Sequence, residues 1–438
     1  MNIVKELFSS DVVPVIGCTE PITVAFACSL ARYAVFNGNI NPSGISRIKV
    51  VTDPGVFKNG SAVAIPNTNG MKGNQIAAAL GAISGKPELK LEVLRYVTPE
   101  HLVQAKDMLT GGRVELACNY TWKGLRVEAM VENQHEYGLA VIEGDHTNVV
   151  ICRKGEHEIL DLSSLLGGNC AYGFNPGNSS YRNALRKMSI ANLIFLARNI
   201  DEEDRRYIDQ GISMNLAISE VGRAMGGVGS HIESLVNQGL FSDDIITSVQ
   251  IIVASATDAR MSGISMPVMS SGGSGNQGVV AALAPYLVGK RRETEMGRIQ
   301  ESIALSHLLN TYVKCFLGLL SPMCGCAVAA GIGAAGAIAY QKTDDSEVIG
   351  HAINNVIGDI AGILCDGAKS GCSMKVASAT QASIRAAFLA LGGCSIDCLD
   401  GIIGKTPEET IRNLWIVDSV GMQHADETIL KIMASKQA

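Results

Sequence analysis

Three cysteine positions in the last third of the chain have the residue type and setting to hold a reactive metal group: Cys324 in SPMCGC, and Cys365 and Cys372 in LCDGAKSGCSMK. Thiolates are the usual protein ligands of iron–sulfur clusters, and three of them on a four-iron cluster leave one iron open to a substrate atom. Such an iron acts as a Lewis acid. On an unbroken helix Cys365 and Cys372 would stand about 10.5 Å apart along the axis, at about 1.5 Å per residue, too far for a compact site. The intervening Asp366-Gly367-Ala368-Lys369-Ser370-Gly371 is rich in turn formers, so a folded-back loop is expected to bring both sulfurs together. Cys326 follows Cys324 by two residues, and on a helix the pair would point roughly opposite ways. Spacing alone leaves open which of them is the ligand. A structural zinc is the competing metal, and packing as small buried hydrophobes is the reading without chemistry.

Cys18, in Gly17-Cys18-Thr19-Glu20-Pro21, stands just before an expected helix N-terminus, a position that lowers a thiol pKa and favours the thiolate. A nucleophile, a general base and a fourth cluster ligand are all compatible with it. A donor-rich loop, Ser270-Ser271-Gly272-Gly273-Ser274-Gly275-Asn276-Gln277-Gly278, runs into the apolar helix VVAALAPYLV. It has neither the Lys-Ser/Thr ending of a phosphate loop nor the dinucleotide fingerprint. Free N–H groups and the positive end of a helix dipole suit a substrate carboxylate there, with Ser274, Gly275, Asn276, Gln277 and Gly278 as the candidates. The segment GMKGNQIAAALG at 70–81 echoes SGNQGVVAALAP at 274–285, which adds Asn74 and Gln75 to the binding candidates. Lys72, in MKGN, and His146, in Gly-Asp-His-Thr-Asn, are minor acid or base candidates. His146 is expected in a hairpin turn, where solvated histidines are ordinary.

The elements that must position these residues fall into an α+β pattern. Residues 1–166 read as a mixed α/β domain with antiparallel hairpins, 167–185 as a linker rich in Gly, Asn and Ser, and 186–438 as an all-helical, Gly/Ala-rich domain. In the first part, helices are expected from Thr19 through ITVAFACSLARYAVF and over 73–85, and strands over 47–53 and 91–97. RVELACNYTW, a Lys123-Gly124 turn, LRVEAMVEN and GLAVIEGDHTNVVICRK read as successive hairpins. In the second part, helical patterns are broken by glycines at 226–229, 272–278 and 331–336.

Composition narrows the function classes. A chain of 438 residues can bury a large core and accommodates two or three domains. A net charge of −6 gives no electrostatic footprint for nucleic acid. The opening MNIVKELFSSDVVPV lacks the basic and apolar regions of a secretory signal, so the twelve cysteines are expected as thiols or metal ligands in a reducing cytoplasm. The uncharged run from Cys315 to Tyr340 is 26 residues long and meets the length criterion for a membrane span. It reads as a buried helix pair instead, since its hydrophobicity comes largely from Ala and Gly and it contains Ser321 and Pro322. The apolar helical half is compatible with a homo-oligomer.

Taken together, GCTEP, KNG at 58–60, KGNQIAAALG, GDHTN, SATDARMSG at 255–263, SGGSGNQG, CDGAKSGCSMK and IMASK resemble the L-cysteine desulfidase family, which is related to the α-chain of iron–sulfur L-serine dehydratases. The resemblance covers nearly the whole chain in the same order. It implies a [4Fe–4S] cluster on Cys324, Cys365 and Cys372 and no pyridoxal phosphate. It also implies Cys18 as a base or additional ligand. Cys326 departs from the family pattern, where a small residue without a thiol is common. The implied reaction is α,β-elimination on a small L-amino acid, L-cysteine to pyruvate, ammonia and hydrogen sulfide. Serine dehydration on the same cluster, and a cluster-bearing sensor or binding protein without turnover, are the alternatives.

Overall fold

Two adjacent strands of the N-terminal sheet, at 47–52 and 126–132, alternate strictly between buried and outward residues. In the computed structural model, which describes residues 2–39, 42–156, 158–166 and 180–436, the strands are β1 (Pro14–Ile16), β2 (Arg47–Thr52), β3 (Val114–Cys118), β4 (Arg126–Glu132), β5 (Tyr137–Glu143), β6 (Val149–Lys154), β7 (Glu158–Ile159) and β8 (Pro267–Met269). Strands β2 to β7 form one sheet in the order β3-β2-β4-β5-β6-β7. Ile48 and Val50 of β2, and Val127, Ala129 and Val131 of β4, point to one buried face, while their neighbours in sequence face outward. The Thr19–Val35 helix packs on that sheet, with the Asn74–Ser84 helix against it in turn. Gly81 permits this approach, because a Cβ there would lie 2.2 Å from the carbonyl oxygen of Ala25.

Two expectations for this region are corrected. The hairpins hold for β4, β5 and β6, but β3 does not pair with β4 across Lys123-Gly124. It pairs in parallel with β2, which lies between them. Parallel neighbours need a crossover, and the helices Pro54–Gly60, Asn74–Ser84 and Pro99–Thr110 supply it. The segment at 91–97 is no strand: Pro87–Glu92 is a 3₁₀ helix followed by turns, with Leu91, Val93 and Leu94 buried. A few apolar residues at short spacing do not distinguish a strand from a turn of helix.

After residue 180 the described chain is helical apart from β8, which pairs antiparallel with β1 and so joins the two halves beside the GCTEP turn. The expected linker falls mostly outside the described residues, and Ser180–Leu185 is already helical. Breaks occur at Gly226 and Gly227 and at Gly272 and Gly273, as the sequence suggests, but not at 331–336, which lies inside the Val328–Tyr340 helix. There the glycines serve packing, letting this helix close on the Met296–Leu317 helix. A Cβ on Gly333 would lie 2.5 Å from the carbonyl oxygen of Ser306, and one on Gly336 would lie 2.5 Å from Leu309.

The uncharged run 315–340 is divided by an irregular loop between these two helices, and among the described residues no helix is long and apolar enough to cross a membrane. That loop carries Cys324. It is held from the C-terminal side by buried Asp418, which accepts from Ser321 Oγ at 2.7 Å and from the Met323 N–H at 3.2 Å.

Gly333→Ala is expected to destabilise the fold by about 1–3 kcal/mol through overpacking, read as a lowered midpoint in thermal or denaturant unfolding. Gly297→Ala, where the nearest atoms are 3.5 Å away, should leave the midpoint unchanged or raise it slightly, since alanine is the better helix former.

Candidate functional site

Two irregular loops bring the predicted ligand cysteines together. Loop 318–327 follows the Met296–Leu317 helix, and loop 361–371 lies between the Ser346–Ile360 and Cys372–Leu391 helices. They meet through an antiparallel bridge of Met323 with Leu364. The Cys324 N–H donates to Ile363 at 2.8 Å, and the Cys365 N–H donates to Pro322 at 2.7 Å. Turn formers do fold the second loop back, and Cys372 returns as the first residue of its helix. Gly367, at φ +95°, takes the left-handed conformation that this turn needs. A Cβ there would lie 2.7 Å from the Lys58 carbonyl oxygen.

Cys324, Cys326, Cys365, Cys372 and Cys18 all line one cavity of about 60 Å³. Cys324 and Cys326 are on a turn rather than a helix, so they do not point apart. The Cys326 thiol hydrogen-bonds to Cys324 and draws it below the usual thiol range, to about 6, against the effect of its burial. The same contact, with burial, pushes Cys326 up. Burial also raises Cys365, and raises Cys372 to about 11.

Among the described residues no set of three or more His, Cys, Asp or Glu side chains closes around a single-ion position. The donor set, all sulfur and arrayed around a cavity, suits a group that spreads its ligands over several metal atoms. Buried Lys314 and half-buried Lys375 also line the cavity and supply positive charge next to these thiols.

Cys18 caps the Thr19–Val35 helix, following Gly17 at φ +74°. The expected lowering of its pKa is corrected: burial raises it, and so does Glu20, whose Oε2 accepts from Cys18 Sγ at 2.9 Å, while Arg260 opposes them. Burial disfavours ionisation of Glu20, but His146, the Cys18 thiol and the Asn59 amide outweigh it and hold the carboxyl below its ordinary range. Glu20 is therefore the charged member of this pair. Asn59 donates to Glu20 Oε1 at 2.9 Å and accepts from Cys365 Sγ at 3.7 Å, linking the pair to the thiol loop.

The KNG segment is explained by the same contacts. Lys58, buried, donates to the Cys365 carbonyl oxygen at 2.8 Å and pairs with Asp426. Gly60 leaves room for Asn74, whose amide donates to the carbonyl oxygens of Val56 and Phe57.

The other predicted residues divide. Ser274, Asn276 and Gln277 line the cavity at the start of the Gly275–Arg291 helix. Gly275 lies against Arg260, its virtual Cβ 2.3 Å from Arg260 Nε, and Gly278 packs on the Met269 carbonyl oxygen. Asn74 is part of the KNG scaffold and does not line the cavity, while Lys72 and Gln75 are exposed. The 70–81 echo thus reproduces the local turn and helix but not the site.

His146 is not a solvated turn residue. It is buried, its Nδ1 2.8 Å from Thr23 Oγ1. The Thr23 hydroxyl donates to Thr19, so the network assigns the ring proton to Nδ1. Burial lowers its pKa, and Glu20 opposes that. Its ring lies behind Gly273, whose Cβ would be 3.8 Å from Nε2.

The sequence reading missed Glu20, Asn59, Arg260 and Lys314. A signal existed for Arg260, the lone cation of the Ile245–Met261 helix, where charge is rare unless it has a task.

The chain is similar to known proteins along its length. The family model for the serine dehydratase alpha chain matches residues 88–431. The chain is 44% identical to a UPF0597 protein of Geobacter sulfurreducens, with 100% of this chain and 99% of the relative covered. It is 42% identical to a UPF0597 protein of Elusimicrobium minutum, with both chains covered in full. A UPF0597 protein of Clostridium tetani is 37% identical, with 98% of each chain covered. These relatives' names state no activity. A family match over most of the chain and relatives matched along their whole length lead to one conclusion: the chain belongs to the serine dehydratase alpha chain family.

Proposed function

We propose that the protein is an iron–sulfur lyase that carries out α,β-elimination on a small L-amino acid, L-cysteine before L-serine. The observation that carries this reading is the meeting, in one cavity, of the thiols on two bridged loops with the Cys18–Glu20 pair. Cys324, Cys365 and Cys372 would hold a [4Fe–4S] cluster, with Cys326 as the rival to Cys324. When bound, such a cluster supplies an open Lewis-acidic iron for the departing β-substituent.

The remaining steps belong to the chain. The substrate carboxylate lies against the helix start at Ser274, Asn276 and Gln277, where N–H groups and the helix dipole favour an anion. Gln277 Oε1 is buried without a partner and can accept from the substrate ammonium. The Cys18 proton passes to Glu20 Oε2 along their hydrogen bond, and the thiolate so formed removes the Cα proton. The C–S bond breaks, sulfide leaves, and aminoacrylate hydrolyses to pyruvate and ammonia. The family description favours serine, whereas the resemblance to the desulfidase family, with a Cys365–Cys372 spacing shorter than the element usual in serine dehydratases, favours cysteine.

Anaerobic reconstitution with iron and sulfide, followed by parallel assays on L-cysteine and L-serine, tests the reading. Sulfide and pyruvate from cysteine are expected. Pyruvate from serine alone moves the assignment to a dehydratase, and a cluster without either product leaves binding or sensing. Cys324→Ala, Cys365→Ala and Cys372→Ala should each abolish the broad visible absorbance and the bound iron of anaerobically prepared protein; full iron in any one removes that residue from the ligand set. Cys18→Ala should keep its iron and lose turnover, whereas iron loss would make Cys18 a fourth ligand.

A further inference from the structure

Arg260, in the last turn of the Ile245–Met261 helix, borders the cavity and is 1% exposed. A guanidinium has five N–H donors. Here Nη1 donates to Asn276 Oδ1 at 2.9 Å and Nη2 to the Gly17 carbonyl oxygen at 2.6 Å, both neutral acceptors. Nε is buried without a partner. Among the described residues no carboxylate forms an ion pair with Arg260, whose partners are the Asn276 and Gly17 oxygens alone. A buried cation with neutral partners and an unused donor is costly unless an anion completes it.

The other cations of the cavity have different surroundings. Lys375 is paired with Asp366, and Lys314 donates to the Leu319 carbonyl oxygen beside Cys326 and Cys365. Arg260 alone stands at the Cys18 end. Its two bonds tie the residue before Cys18 to Asn276 at the start of the next helix. Gly275 has no side chain to displace it: a Cβ would lie 2.3 Å from Nε and 2.7 Å from Cζ.

We propose that Arg260 is the substrate-binding residue that receives the α-carboxylate and selects free amino acids over carboxyl-blocked ones. This rests on the elimination reading above and deepens it. In an amino acid the carboxylate is one bond from Cα, so an anion held by Arg260 sets the Cα proton beside Cys18. The planar guanidinium fits a carboxylate through two parallel N–H bonds, a geometry that lysine does not offer.

The test compares sulfide release from L-cysteine and L-cysteine methyl ester by the anaerobically reconstituted enzyme, in wild type, Arg260→Gln and Arg260→Lys. Wild type should prefer the free acid. Arg260→Gln should lose about 10- to 100-fold in kcat/KM for cysteine, mostly through KM, with the ester little changed and iron content retained. Arg260→Lys should be intermediate. Wild-type preference for the acid surviving in Arg260→Gln would overturn the proposal, as would an equal loss on both substrates, which marks a structural role or one toward Cys18 alone. If wild type releases no sulfide, the elimination reading fails separately. Calorimetric titration of wild type, Arg260→Gln and Arg260→Lys with L-alanine and L-alaninamide then decides for Arg260: a wild-type preference for L-alanine that Arg260→Gln loses supports the assignment, and one that Arg260→Gln keeps, or equal or absent binding of the two by wild type, removes it.

Discussion

The site depends on the backbone pairing of loops 318–327 and 361–371. Neither loop has regular structure, and the two are distant in sequence, yet the Cys324 and Cys365 N–H groups each bond across to the other loop. One such bond contributes only about 1 kcal/mol net. Its value here is positional, because a fixed N–H next to each cysteine fixes the Cα from which the thiol projects. Clamps outside the pair reinforce it, with Asp418 holding the first loop and Lys58 the carbonyl of Cys365 in the second. Both clamps draw on distant parts of the chain, since Lys58 comes from the N-terminal half and is itself paired with Asp426 in the C-terminal helix. The N-terminal half of the chain is thus more than a neighbour of the thiol site.

Charge explains the choice of surroundings. Lys58, Arg260 and Lys314 are each at most 2% exposed, and an ion in a protein interior costs several kcal/mol even after relaxation. Lys58 has a carboxylate partner, whereas Lys314 and Arg260 bond to neutral oxygens and an amide. Such an arrangement is costly for stability alone. It becomes favourable when anions enter the cavity, and deprotonated thiols and a substrate carboxylate are the anions that the proposed chemistry brings. Burial lowers the Lys314 pKa for the same reason that a neighbouring thiolate would restore it.

What could be read in the sequence divides by range. Local signals held: the helix from Thr19, the strands β2, β4, β5 and β6, of which β2 and β4 alternate strictly, and the turn that returns Cys372 toward Cys365. Glycines misled at 331–336 because a glycine admits either a turn or close helix packing, and only the facing helix, with Ser306 and Leu309 at the contact, decides between them. Asn74 and Gln75 enter through a motif echo whose local geometry is real, but which faces Val56 and Phe57 or solvent rather than the thiols, and Lys72 beside them is exposed. Glu20 and Asn59 escaped notice for the converse reason. They stand in the GCTEP and KNG segments, but neither segment by itself shows that they meet, and they matter because the Pro54–Gly60 helix brings Asn59 to the Thr19–Val35 helix.

Cys18 shows how burial and one neighbour reverse a reading that rests on position alone. A helix N-terminus stabilises a nearby anion by about 0.3–1 kcal/mol, and by about 2 kcal/mol in the best buried cases. A full charge about 4 Å away, at an effective dielectric of about 20, is worth about 4 kcal/mol. Burial is the larger cause of the raised thiol pKa, and Glu20 acts in the same direction, so the two together override the helix terminus. Two adjacent negative charges in this interior are strongly disfavoured, so Cys18 and Glu20 hold one proton between them, 2.9 Å apart. The pair carries a single negative charge and accepts one further proton. That is the capacity a base needs if it takes a proton from Cα and later releases it, and it makes Glu20 as necessary to the proposed chemistry as the cysteine it neighbours.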